Sequence, residues 1–78
     1  MNERNILEIL GKNMHDIRYE KNMSLQELAE KTNIDLEKLR KFEAGEGSGL
    51  DIRHYPIIAD GLDVGIEKLY KNIQFVED

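Results

Sequence analysis

The sequence predicts an all-α fold, a bundle of five helices, and three observations carry that prediction. Apolar side chains recur at intervals of three and four along most of the chain, the spacing that lays one face of a helix on a core. Residues that start helices alternate with residues that end them: Ser24, Asp35 and Asp51 as N-caps, then Asn22, Gly45 and Gly61 as stops. Seventy-eight residues without a cysteine can use neither disulfides nor a cysteine zinc site, so one modest helical core must hold the chain. The expected organisation is one domain over residues 1–71 and a tail over 72–78.

The first helix is expected from Asn5 to Lys21, with Ile6, Leu10, Met14 and Ile17 at helical spacing and Leu7 and Ile9 widening the stripe. Gly11 is a weak point inside it. A glycine there costs about 1 kcal/mol against alanine, which predicts close approach of another helix. Asn22 is the expected stop.

The central stretch, 24–45, holds two capped helices a few residues apart. Ser24 and Glu27 have capping-box spacing, and Leu25, Leu28, Ala29 and Thr32 then share one face of a helix of about two turns. Asn33 suits the left-handed conformation of a tight turn, and Ile34 is expected to point inward. Asp35 caps the next helix, which is expected to turn Leu36, Leu39 and Phe42 inward before Gly45 ends it. Helices joined this closely must cross steeply, with small Ala29 where the backbones approach; the stretch is a helix-turn-helix unit by geometry.

Residues 45–49, G-E-G-S-G, resemble a phosphate-binding loop only in composition, because no strand precedes them and no G-K-[ST] follows. They read as a flexible connection. A fourth helix is expected to carry Ile52, Tyr55, Ile58, Ala59 and Leu62 inward, starting at Asp51 or, because Pro56 cannot donate an N–H, near Tyr55. Gly61 and Asp63 mark its end, Val64 packs, and Gly65 to Tyr70 forms a fifth helix with Ile66 and Leu69 inward. In the tail, Ile73 and Phe75 alternate in the strand period. It either folds on its own domain or pairs with a second copy, and Ile73 and Phe75 are the expected dimer contacts of the second arrangement.

The first residues hold no apolar signal core, and no apolar run approaches the roughly 18 residues of a membrane span. A soluble, cytoplasmic protein is expected. Its net charge is −5, unlike the basic surplus usual in nucleic-acid binders. The acid is unevenly placed: residues 1–43 hold nine acids and eight bases, whereas 44–78 hold seven acids and three bases. The helix-turn-helix half is therefore close to neutral.

Four pieces in this order resemble the Cro/CI-type (Xre family) helix-turn-helix regulators: L-G-K-N-M-H-D-I-R, M-S-L-Q-E-L-A-E-K-T-N-I, L-R-K-F-E-A-G and Y-P-I-I-A-D-G-L-D-V-G-I-E-K-L-Y. They lie between Leu10 and Tyr70, and their specificity comes from order and spacing together. The resemblance implies a lambda-repressor-like five-helix domain that binds operator DNA as a dimer, and an ion pair between Arg18 and Glu43. The chain departs from the family in three places. Leu25 stands where similar proteins carry a phosphate-anchoring glutamine, with Gln26 one residue later. Asn33 replaces the common turn glycine, and the third helix carries long charged side chains where short polar ones are frequent.

If the third helix enters a major groove, Lys38, Arg40 and Lys41 can hold phosphates, and Lys41 or Arg40 can donate to guanine. Glu37 can accept from cytosine N4, and Leu36 can lie against a thymine methyl. Gln26 is the candidate phosphate contact of the second helix. The bland alternative is a solvated face on which Glu37 and Lys41 form an i,i+4 pair.

Catalytic and metal roles find no support, since His15 and His54 stand apart without cysteine or carboxylate at ligand spacing and are expected at the surface. No cofactor or small-molecule ligand is implied. The expected function is a transcriptional regulator, a repressor of phage or mobile-element type. Its rival is a protein-interaction module on the same fold, an antirepressor or regulatory subunit, whose acidic surface meets a protein.

Overall fold

The computed structural model describes residues 3–73, with side chains from Ile6 onward. Five helices follow in order: α1 (Glu3–Glu20), α2 (Leu25–Thr32), α3 (Leu36–Glu43), α4 (Tyr55–Gly61) and α5 (Ile66–Leu69). No strand occurs among the described residues. None of these helices is long and apolar enough to cross a membrane.

Helix α1 packs on α3 and α5, α2 packs on α3 and α4, and α4 packs on α5. Their apolar stripes meet in one core, where Leu10, Met14, Leu28, Leu39, Phe42, Ile58, Leu62 and Leu69 are fully buried. Burying each such side chain contributes about 1.5–3 kcal/mol, which makes this core the main source of stability in a chain without disulfides. Phe42 of α3 lies at the centre, its ring 5.7 Å from that of Tyr55, which in turn meets Tyr70 edge-on at 6.3 Å.

Gly11 is where α1 crosses the end of α3. A β-carbon there would lie 2.4 Å from the Phe42 carbonyl oxygen and 2.7 Å from that of Glu43, so only glycine permits the approach. This is the packing reason that its position inside a helix required.

Three helices end in one way. After α1, α3 and α4 the chain turns through a left-handed residue, Asn22, Gly45 and Asp63 respectively. The following N–H groups then donate back to the last turn, as in Met23 to Arg18, Glu46 to Lys41 and Val64 to Ala59. These bonds occupy carbonyls that the helix itself leaves without partners. Asn33, also left-handed at φ 58°, makes the turn between α2 and α3.

Helix α4 begins at Tyr55, the later of its two expected starts, because Pro56 is tolerated in a first turn and not deeper. Other expectations are corrected. Asp51 instead closes a turn over 51–54, accepting from the Arg53 backbone N–H at 3.0 Å while the Arg53 guanidinium holds its carboxyl far below the usual carboxylate range. Ile52, outside the helix, is 70 % exposed and not inward. Leu36 is likewise 40 % exposed, since the first residue of so short a helix lies beyond the helices that cover Leu39 and Phe42. Ile73 is partly buried against the core of its own domain. Phe75 and the rest of the expected strand or extended tail, residues 74–78, lie outside the described residues.

Candidate nucleic-acid interface

Helix α3 is fixed at its start by Asp35, whose carboxylate accepts from the backbone N–H groups of Glu37 at 3.1 Å and Lys38 at 3.3 Å. Leu39 and Phe42 anchor its inner side in the core. What remains outside is Leu36, Glu37, Lys38, Arg40 and Lys41, all exposed. Five of the six side chains expected to contact DNA thus share one outward surface of a single helix.

Within that surface Glu37 pairs with Arg40 and not with Lys41. The arginine Nε donates to Glu37 Oε1 at 3.2 Å, and Nη2 donates to both carboxylate oxygens at 2.5 Å. Arginine wins because its planar fork matches a carboxylate edge, which an ammonium group cannot do. The hydrogen bond from Arg40 lowers the Glu37 pKa, with Arg40 and Lys41 charges adding to it, and the same bond raises that of Arg40. Both groups are therefore charged at neutral pH. Lys38 and Lys41 make no ion pair or hydrogen bond through their ammonium groups among the described residues.

Gln26 is exposed in the first turn of α2, its amide 3.4 Å from Glu30, a long bond that leaves the side chain able to turn elsewhere. Leu25 is half-buried against the core, which accounts for an aliphatic residue at the first position of α2. Ser24 caps the helix by accepting from Glu27 N–H at 3.0 Å.

Behind α3 lies a second ion pair. Arg18 of α1 donates through Nε and Nη2 to the two oxygens of Glu43 at 2.8 and 2.9 Å, and through Nη1 to the Met23 carbonyl at 2.8 Å. The two side chains are only 12 % and 18 % exposed. One arginine thereby joins the end of α1, the approach to α2 and the last turn of α3, fixing the inclination at which α3 is presented. His15 adds to this contact, with Nδ1 3.4 Å from Glu43 and its ring 4.5 Å from that of Tyr19. Its side chain stays 43 % exposed, at the surface as expected, but in contact with Glu43.

Asn13 was not anticipated. It is buried on α1 and donates to the carbonyls of Leu69 at 2.8 Å and Lys71 at 2.6 Å, tying the end of α5 to α1. The signal for it was a lone amide beside the Leu10, Met14 and Ile17 stripe. Neither a scan against protein-family models nor a search of curated proteins returns a match for this chain.

Proposed function

We propose that the chain is a sequence-specific DNA-binding transcriptional regulator, a cytoplasmic repressor of phage or mobile-element type that acts as a homodimer. The observation that carries this reading is the outer surface of α3, where an eight-residue helix braced from behind by Phe42 and the Arg18–Glu43 pair directs Lys38, Arg40 and Lys41 into solvent. An α-helix with its side chains is about 10–12 Å across, close to the width of a major groove. In this reading Lys38 and Lys41 contact phosphates, Gln26 supports them from α2, and Leu36 meets a thymine methyl. Arg40 and Glu37 face base edges.

One α3 touches few base pairs, so useful affinity requires two copies on a roughly palindromic site, with half-site centres about 34 Å apart. The rival reading, a protein-interaction module, is favoured by the net charge of −5 and by a carboxylate in the middle of the surface. Selection from a random duplex library with the full chain separates the two. The DNA reading expects enrichment of a two-fold-symmetric site. Failure to enrich any sequence at low salt leaves the protein-interaction module.

A further inference from the structure

We infer that Glu37 is a specificity-determining residue that fixes which edge of Arg40 a duplex meets, so that the two side chains together read one G·C base pair. This inference rests on the DNA-binding reading above. Arginine can offer a flat acceptor pair either its side edge, Nε with Nη2, or its end edge, Nη1 with Nη2. Here the side edge is occupied, because Nε and Nη2 both donate to the Glu37 carboxylate. The end edge remains. It carries two roughly parallel N–H groups, the arrangement that fits O6 and N7 of guanine in the major groove.

Glu37 lies one turn before Arg40 and is itself about half exposed, so its carboxylate retains lone pairs on the groove side. In a G·C pair the cytosine N4 amine sits beside guanine O6 and donates into the same groove. The acceptor at Glu37 and the donors at Arg40 therefore match the cytosine and guanine of one pair. An A·T pair places the adenine N6 amine, a donor, where guanine offers O6, and it meets the arginine donors unfavourably.

A carboxylate at this position also repels the phosphates of every duplex equally. Only the matching site returns a compensating hydrogen bond, so Glu37 raises discrimination and lowers general affinity. Neutralising it has opposite effects on the two quantities, which a purely structural residue would not produce.

The test uses the full chain with its selected duplex, variants of that duplex carrying A·T for G·C at each half-site position in turn, and a random duplex, all at one salt concentration. The wild type is expected to lose roughly tenfold or more at one G·C position. Glu37→Gln should bind the random duplex several-fold more tightly and lose most of the discrimination at that position. Glu37→Asp keeps the charge but is too short to reach the side edge of Arg40; it should still bind the random duplex weakly and lose the discrimination. Circular dichroism identifies folded variants. If both variants keep the wild-type preference at every position, the inference falls while the DNA reading stands. If the wild type binds no duplex, both fall.

Discussion

Helix α3 carries two glutamate–arginine pairs, one mostly buried and one exposed, and they do different work. Glu43 faces inward and meets Arg18 across α1, with both side chains mostly buried; Glu37 faces outward and meets Arg40 on its own helix, with both more than half exposed. The contact chemistry is the same. What differs is the water around it and the number of elements joined. Removing one partner of the inner pair strands a charge away from solvent, whereas removing one partner of the outer pair leaves the other to water at little cost in stability. The inner side of α3 thus sets its position, and the outer side is free to act.

The strongest way to break the inner side is at the crossing itself. Gly11→Ala places a methyl group against two carbonyl oxygens of α3 at 2.4 and 2.7 Å, so the helices must separate. A loss of about 3 kcal/mol in urea unfolding is expected, at the upper end for an overpacked contact. An unchanged midpoint would show that α1 and α3 do not approach as described.

Glu43→Ala should cost about 2–3 kcal/mol, somewhat less than a fully buried pair because water reaches it in part. The double variant with Arg18→Ala should recover some of that loss. Purely additive losses would mean the pair is not coupled. On the outer side, Glu37→Gln should leave the melting temperature where it is, and a large fall would erase the contrast between the two surfaces.

A smaller effect than either inner-side substitution concerns Tyr55, which packs on Phe42. Burial raises its phenol pKa, with the nearby Tyr70 and Asp51 adding to the shift. A raised value means the folded state favours the neutral phenol. The associated stability is whole below the unfolded value of about 10 and is lost as pH rises through the folded one. Tyr55→Phe should reduce the alkaline fall of stability, as read from urea midpoints between pH 9 and 11; an identical fall would remove Tyr55 as its source.

Local devices were legible in the sequence because their causes are local. Ser24, Asp35, Asn22, Asn33 and Gly45 act on their own backbone or on groups within a turn of it, so residue type predicts their role. Gly11 was legible for another reason: its cost inside a helix demanded a distant compensation. Asn13 was legible only as a lone amide beside an apolar stripe, and its acceptors were not, since they lie 56 and 58 residues away. Periodicity placed Leu36 and Ile52 inward because it knows the face of a helix but not where its neighbours stop. Glu37 had cations at both i+3 and i+4, and only the shape of the guanidinium selects Arg40. The proposed DNA-facing role of the outer side rests on the pattern of charges on α3, and the fold supplies the brace behind them.

The most direct test of the account is the salt dependence of binding to the selected duplex, compared between the wild type and a variant with Lys38, Arg40 and Lys41 all changed to Ala. Each lost phosphate contact should flatten the slope of log K against log salt by about 0.9. The expected slope is shallower by about 2, from Lys38 and Lys41, together with loss of preference for the selected site. A triple variant that keeps both its slope and its preference would place the duplex on another surface of the molecule.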